Sequence, residues 1–129
     1  MMVSLVIDIG NTSAKIYRIS DGKVIKSGFY EKNFSKWMKD KNATDEVIIV
    51  SVVPEKTAEI SKEVKKITKK KPFIVKHEHY KVLKSRYLDI TELGIDRLCN
   101  IAYAIKYFKK NAVVIDFGSA VTFEVINGS

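Results

Sequence analysis

The stretch from Val3 to Lys15 combines residue types that can bind a phosphorylated ligand. Val3–Ile9 is almost unbroken apolar and β-branched, which predicts a strand buried on both faces of a sheet. Asp8 interrupts this run, and a buried carboxylate is costly unless it is paired, hydrogen-bonded or facing a cation. The small polar residues Gly10, Asn11, Thr12 and Ser13 follow, and Lys15 lies on the predicted returning strand, residues 14–19. An acid, a turn rich in N–H and hydroxyl donors, and a lysine together suit a metal-bound polyphosphate.

A second stretch, residues 112–122, repeats this pattern. Its sequence AVVIDFGSAVT runs an apolar strand into Asp116 and then into a turn of Gly118, Ser119 and Ala120. Aligned on their aspartates, the two copies read VIDIGNTSA and VIDFGSAVT, and their shared position in a strand-turn-strand unit favours duplication over chance. We therefore expect two related hairpins that face each other across a cleft and hold the phosphates of a nucleotide from both sides.

The elements that must position these hairpins are predicted from hydrophobic periodicity and turn residues. A third strand is expected at residues 23–30, and the spacing of Phe34, Trp37 and Met38 predicts a short helix over 33–40 with Trp37 in the core. The later elements are a strand at 46–53, a helix from Pro54, a short strand at 72–76, a helix at 91–108 and the strand from Ala112. This order, β-β-β-α-β-α-β-α and then a new strand, predicts an α/β fold with a mixed sheet flanked by helices.

Length and composition limit the class of protein. A chain of 129 residues with 46% apolar residues can bury one sizeable core, so one domain is expected. The net charge of +8 comes mainly from lysine, which is more typical of a solvated surface than of a nucleic-acid site with clustered arginines. No apolar run approaches the roughly 18 residues of a membrane span, and the apolar start is too short for a signal peptide. We therefore expect a cytoplasmic protein without membrane contact.

One cysteine and two histidines are the remaining candidates for chemistry. Cys99 excludes an internal disulfide, fits a reducing compartment, and is better explained as a buried structural thiol than as a nucleophile. His77 and His79, two apart in a segment predicted to be extended, would lie on one side as a metal pair. Because the sequence offers no further histidine to complete such a site, the metal interpretation is the weaker one.

The motifs resemble those of a known superfamily. VIDIGNTSAK is similar to the first phosphate motif, and VVIDFGSAVT to the second, of the actin, sugar-kinase and heat-shock chaperone ATPases, whose lobes are ribonuclease H-like. Between them, Tyr87 and the sequence LGIDR at residues 93–97 resemble the substrate motif of the type III pantothenate kinases. That family uses ATP to convert pantothenate to 4'-phosphopantothenate, the first step of coenzyme A biosynthesis. Three motifs in the right order make the resemblance specific, and it covers the whole chain.

The resemblance implies which residues bind the nucleotide and its cations. The ATP-binding residues would be Asp8, Ile9, Gly10, Asn11, Thr12, Ser13, Ala14 and Lys15 in the first hairpin and Gly118 and Ser119 in the second. Asp8 would hold Mg²⁺ through water, since Mg²⁺ gives up its water ligands reluctantly. Asp116 would bind a monovalent cation, potassium or ammonium. Ser119 stands where the family usually has threonine, and this change keeps the hydroxyl.

The resemblance also implies an acceptor site. Asp96 would take the proton from the primary hydroxyl of pantothenate, and the pocket would be lined by Tyr87, Gly94, Ile95, Asp96 and Arg97. Arg97 suits a carboxylate because its planar guanidinium can bind two oxygens at once. From the residues alone, Asp96 could instead complement the dipole of its helix, and Arg97 could be a surface residue. The chain has Asp89 and Ile90 where the family commonly has Asn-Pro.

Members of this family have two similarly folded lobes, with the nucleotide between them, and act as homodimers. The resemblance therefore assigns residues 1–111 to a first lobe and residues 112–129 to the opening hairpin of a second. The hairpin signal Asn127-Gly128 is followed by Ser129 alone, so the chain is expected to be a first half, inactive unless a partner supplies the rest. Other interpretations stay open. They are another kinase or phosphatase of this fold, a regulatory or transcription-accessory protein without turnover, and, more weakly, an actin-type structural protein.

Overall fold

The computed structural model describes residues 2–30, 37, 44–81, 83 and 89–128. Within them, seven β-strands and two α-helices confirm the expected α/β class. Neither of these helices is long and apolar enough to cross a membrane. Contacts divide the chain into two compact units, Met1–Val75 and Lys76–Ser129, and each is described by itself.

The first unit is built on a five-stranded mixed sheet with the strand order β3-β2-β1-β4-β5. The strands are β1 (Val3–Ile9), β2 (Ala14–Ser20), β3 (Lys23–Phe29), β4 (Glu46–Ser51) and β5 (Phe73–Ile74). The first three pair antiparallel, whereas β4 runs parallel to β1 and β5 runs parallel to β4. Parallel neighbours need a crossover connection, and the helix α1 (Pro54–Thr68) provides it between β4 and β5.

The core of the first unit lies between this sheet and α1. It consists of buried aliphatic residues of three strands and the helix: Leu5, Ile7, Ile9, Ile16, Val47, Ile49, Ile60 and Val64. Of the intervening residues along β1, Ser4 is buried, whereas Val6 and Asp8 are only partly buried. Because successive side chains of a strand point to opposite faces, β1 has one buried and one half-buried face, where the sequence predicted burial on both.

The helix α1 begins where the sequence predicted, at Pro54. Proline is favoured in the first helical turn because the N–H it lacks would have no intrahelical acceptor there. The helix ends at Thr68, after which Lys69 adopts a left-handed backbone with φ 59° and donates its N–H to the carbonyl of Lys65. Trp37 is partly buried and packs against the same core, as predicted. The rest of the helix predicted over 33–40 lies outside the described residues.

In the second unit, the helix α2 (Ile95–Phe108) packs on an antiparallel hairpin of β6 (Ala112–Phe117) and β7 (Val121–Ile126). Leu98 and Ala104 of α2 and Ile126 of β7 are buried. The opposite face of the hairpin carries exposed apolar side chains, those of Val113, Ile115, Phe117, Val121, Phe123 and Val125. The polar residues of the hairpin therefore lie on the face that α2 contacts.

The helix α2 starts at Ile95, later than the predicted residue 91. Residues Ile90–Glu92 form a separate 3₁₀ turn, and the backbones of Leu93 and Gly94 are extended, with ψ of 137° and 145°. Extended residues cannot continue the hydrogen-bonding pattern of a helix, so the apolar spacing from residue 91 was misleading. His77 and His79, expected to lie in an extended segment, instead belong to a 3₁₀ turn at His77–Tyr80.

Candidate active site

The β1–β2 hairpin places Asp8 opposite Lys15. The antiparallel register pairs these two residues, which puts their side chains on the same face of the sheet. Asp8 is partly buried and Lys15 is exposed, whereas their neighbours Ile7, Ile9 and Ile16 belong to the buried face. The backbone register therefore places an acidic and a basic residue opposite each other on one face of the sheet, at the turn end of the hairpin.

Four residues, 10–13, connect these strands in a tight turn. The N–H of Gly10 donates to the carbonyl of Ser13 over 2.9 Å. A Cβ atom on Gly10 would lie 3.3 Å from the same oxygen, so the close approach of the backbone favours glycine. The Gly10 N–H serves the turn itself, and the other N–H and hydroxyl groups of the turn belong to Asn11, Thr12 and Ser13. Asn11 and Thr12 are exposed, while Ile9 is buried and Ala14 is partly buried.

The β6–β7 hairpin repeats this arrangement with a shorter turn. Asp116 again lies two residues before a glycine, Gly118, whose N–H donates to the carbonyl of Ala120 over 3.0 Å. Asp116 pairs in register with Thr122. Three residues separate these strands, against four in the first hairpin, so the copies share the position of the aspartate but differ in turn length. Ser119 is exposed in the turn.

The LGIDR motif forms the start of α2. Gly94 is the N-cap residue, and the N–H of Leu98 donates to its carbonyl over 3.1 Å. Asp96 lies in the first turn, where its Oδ1 accepts the backbone N–H of Arg97 over 2.9 Å. The helix dipole favours a carboxylate at this end of a helix, so Asp96 can stabilise α2 in the way considered from the sequence. The same hydrogen bond fixes the orientation of the carboxylate, which a general base also requires.

Two contacts hold the residues just before Gly94. Nε2 of His77 lies 2.7 Å from the carbonyl oxygen of Leu93. The carboxylate of Asp89 accepts the N–H of Thr91 over 2.8 Å, and this hydrogen bonding lowers the pKa of Asp89 below its usual range. Asp89 thus caps the turn at Ile90–Glu92. The segment that precedes Gly94 is therefore held by contacts of two side chains, those of His77 and Asp89.

Each of the two histidines contacts a backbone group. His77 contacts the Leu93 carbonyl, and Nδ1 of His79 accepts the N–H of Lys76 over 2.9 Å. Among the residues that the structure describes, no group of three His, Cys, Asp or Glu side chains could hold a metal ion.

Cys99, expected to be buried, is only partly buried, and its Sγ lies 3.2 Å from the hydroxyl of Tyr80. Burial and this hydrogen bond both raise the pKa of Tyr80.

Two polar contacts join α2 to the hairpin. Arg97 is ion-paired through Nε with the carboxylate of Glu124 on β7. One helical turn further along, Nδ2 of Asn100 donates to Oδ2 of Asp116 on β6 over 3.0 Å. Arg97 and Asn100 are three residues apart, so both lie on one face of α2. The structure thus brings Asp96 and Arg97 onto the same packed unit as Asp116.

Glu124 and Asn100 were not among the residues expected to form the site. A sequence signal existed for each: Glu124 interrupts the apolar strand VTFEVI, and Asn100 follows Arg97 at the i+3 position. Their partners could not be read from the sequence, because they depend on how α2 packs against the hairpin. Tyr87, the remaining expected acceptor residue, lies outside the described residues.

The carboxylates suit the cations expected of a nucleotide site. Mg²⁺ in such sites is held by one or two carboxylates together with substrate phosphates, rather than by a complete set of protein ligands. Asp8, on the same face as Lys15 and next to the polar turn, fits that pattern. Asp116 presents a carboxylate that is already oriented by the side-chain amide of Asn100.

Comparisons with known proteins agree with the motifs. The family model described as type III pantothenate kinase matches residues 4–129. A type III pantothenate kinase of Persephonella marina is 33% identical over 136 residues, which cover 94% of this chain and 53% of the relative. A namesake from a Sulfurihydrogenibium species is 31% identical, covering 95% of this chain and 55% of the relative. A third type III pantothenate kinase, from Finegoldia magna, is 30% identical, and the match covers 96% of this chain and 53% of the relative. The chain spans about half the length of the curated relatives it matches.

Proposed function

The chain belongs to the type III pantothenate kinase family, and we propose that the whole protein phosphorylates pantothenate with ATP, in the first step of coenzyme A biosynthesis. One observation carries the proposal. Asp96 and Arg97 lie in the first turn of α2. The side chains of Arg97 and Asn100 bond that helix to the β6–β7 hairpin, which bears Asp116. The groups proposed for the acceptor and for a cation thus belong to one packed unit.

Asp96 would act as the general base. As the primary hydroxyl oxygen of pantothenate attacks the terminal phosphorus of ATP, its proton passes to the Asp96 carboxylate, and ADP leaves with the electrons of the broken P–O bond. The hydrogen bond from the Arg97 N–H holds the carboxylate in one orientation, which supports this role. Because phosphoryl transfer depends mainly on positioning and charge, a fixed base at a helix start is what the reaction needs.

Arg97 would bind the carboxylate of pantothenate, to which its planar guanidinium is matched in shape and charge. Gly94 lets the substrate approach the backbone closely, because it has no side chain. Ile95, which is buried behind the motif, anchors the helix start in the core of the second unit. Tyr87 completes the proposed acceptor residues.

The β1–β2 hairpin would bind ATP phosphates. Asn11, Thr12 and Ser13 offer backbone and side-chain donors, and Lys15 adds positive charge on the face that carries Asp8. Asp8 would hold the Mg²⁺ that accompanies ATP, through water, and this ion would neutralise phosphate charge. The shorter β6–β7 turn would contribute the Ser119 hydroxyl, and Gly118 would contribute through the backbone that shapes this turn. Ile9, Gly10 and Ala14 contribute through the backbone that shapes the first turn.

Asp116 would hold potassium or ammonium, which would supply further positive charge for the nucleotide phosphates. The orientation of Asp116 by Asn100 supports this assignment. We propose that residues 1–111 belong to a first actin-like, ribonuclease H-like lobe and that residues 112–129 are the first hairpin of a second lobe. We also propose that the whole protein is a cytoplasmic homodimer that acts on ATP and pantothenate without nucleic acid or membrane.

The test is release of ADP by the full-length protein with Mg-ATP, potassium chloride and pantothenate. We expect release to require pantothenate and to fall by at least about 100-fold in Asp96→Asn, because general-base catalysis contributes that much. Glu92→Gln, an exposed acid of the preceding turn, is the matched control and should keep full activity. Release that needs a different alcohol would indicate another kinase of this fold. Salt-sensitive DNA binding without any release would favour the regulatory interpretation.

A further inference from the structure

Glu124 is a buried charged residue of strand β7. Its residue is 6% exposed, and it lies on the face of the hairpin that packs against α2. A buried carboxylate is costly unless an opposite charge and hydrogen bonds compensate it. Arg97 provides this compensation through its Nε–H. An apolar residue would pack at the position of Glu124 at lower cost. The partner of the Glu124 carboxylate is Arg97, which is proposed to bind the substrate.

The ion pair with Glu124 restrains the Arg97 side chain but leaves part of it exposed. The side chain of Arg97 is 27% exposed, against 7% for that of Glu124, so the guanidinium lies between the buried carboxylate and the surface. A guanidinium is planar, so holding its Nε edge also sets the plane in which the two Nη groups lie. A long side chain ordered before the ligand arrives loses less entropy on binding than one that samples many rotamers.

We infer that Glu124 is a positioning residue of the acceptor site, which orients the Arg97 guanidinium toward the carboxylate of the substrate. The inference rests on the proposed function, in which Arg97 binds the carboxylate of pantothenate. Glu124 acts only through Arg97 and does not itself touch the substrate. Its removal should therefore weaken binding of ligands that carry a carboxylate and spare the chemical step.

The experiment compares two ligands on the full-length protein and on Glu124→Gln, which keeps the size of the side chain but removes its charge. One ligand is pantothenate, and the other is its alcohol analogue, in which CH₂OH replaces the carboxylate. For pantothenate we expect KM and the calorimetric Kd to rise by about 10-fold or more, the loss typical of a charge-assisted hydrogen bond, while kcat changes by less than about threefold. For the alcohol analogue we expect less than about a twofold change, because Arg97 has no carboxylate to bind.

Matched variants separate positioning from folding. Glu78→Gln removes an exposed carboxylate of the same unit and should leave both ligands unaffected. If Glu124→Gln does not fold, Glu124→Asp gives the same comparison, because it keeps the charge but withdraws it from Arg97 by one methylene. An equal loss for both ligands, or no loss for pantothenate, would overturn the inference while the proposed function stands. Failure of the parent protein to bind pantothenate would overturn the proposed function and the inference together.

Discussion

The side-chain amide of Asn100 donates a hydrogen bond to the carboxylate of Asp116 over 3.0 Å, from the middle of α2 to strand β6. Both residues are partly buried, so solvent competes less with the contact than it would at an open surface. An amide is a neutral donor, so it orients one carboxylate oxygen without neutralising the charge. The carboxylate therefore keeps its attraction for a cation.

Asn100→Ala should raise the potassium concentration needed for half-maximal activity of the full-length protein. The loss of one hydrogen bond predicts a shift of roughly 5- to 10-fold, with kcat at saturating potassium within about twofold of the parent. The assay varies potassium at constant ionic strength with choline chloride. As a readout besides activity, the rise in melting temperature caused by potassium should shrink in the variant. An unchanged potassium dependence in both measurements would contradict this role of Asn100.

Asp8→Asn should weaken use of Mg-ATP without affecting the acceptor. The substitution keeps the shape of the side chain and removes the charge proposed to hold Mg²⁺, so kcat/KM for Mg-ATP should fall by about 10- to 100-fold. Asp21→Asn is the matched control, because Asp21 is exposed in the β2–β3 turn with φ 49°, which asparagine also tolerates. Steady-state kinetics at varied Mg-ATP and direct binding of pantothenate measure the two effects. A loss of pantothenate binding equal to the loss for Mg-ATP would contradict the assignment.

Leu98→Ala should destabilise the protein more than any exposed substitution on the same helix. Leu98 lies on α2 and is fully buried in the second unit, so truncation of its side chain removes apolar contacts and leaves a cavity. We expect a loss of about 2–5 kcal/mol in the free energy of unfolding, measured by urea denaturation. Ile105→Ala is the control on α2: its side chain is 42% exposed, and the loss should stay below about 1 kcal/mol. Equal losses would contradict the packing of α2 described above.

Local features of this fold could be predicted from sequence, and contacts between elements could not. The bounds of β1 were predicted correctly because a β-branched run and a polar turn define them within a few residues. Strand β4 was predicted to reach residue 53 but ends at Ser51, whose hydroxyl accepts the N–H of Val53 over 3.0 Å and turns the chain toward Pro54. The short strand predicted at 72–76 pairs only over Phe73–Ile74.

The candidate site divides in the same way. The motif residues Asp8, Asp116 and Asp96 are contiguous with turns or a helix start, so their local placement follows from short stretches of sequence. Asn100 and Glu124 lie 16 and 27 residues from their partners Asp116 and Arg97. Those pairings exist only because α2 packs on one particular face of the hairpin, and the spacing of residues within either element does not determine that face.

Tyr30→Phe should lower stability near neutral pH, because the phenol donates a hydrogen bond from the end of β3 to the carboxylate of Glu63 on α1. Burial, and then this bond, raise the pKa of Tyr30 above its ordinary value. We expect a loss of about 1 kcal/mol at pH 8, a modest value because the phenol is partly exposed. Tyr17→Phe, on strand β2, is the matched control and should cost less.

The pH dependence of this loss distinguishes the hydrogen bond from simple packing. Since the pKa of Tyr30 is raised on folding, its contribution is complete below the unfolded value of about 10 and declines as pH rises above it, because only the unfolded chain then releases the proton readily. The difference in unfolding free energy between the parent and Tyr30→Phe should therefore shrink between pH 8 and pH 11. Urea denaturation of both proteins at these two pH values measures it. A difference that stays constant over this range would contradict the prediction, because a hydroxyl that keeps its proton preferentially in the folded protein must lose stabilisation as the unfolded chain ionises.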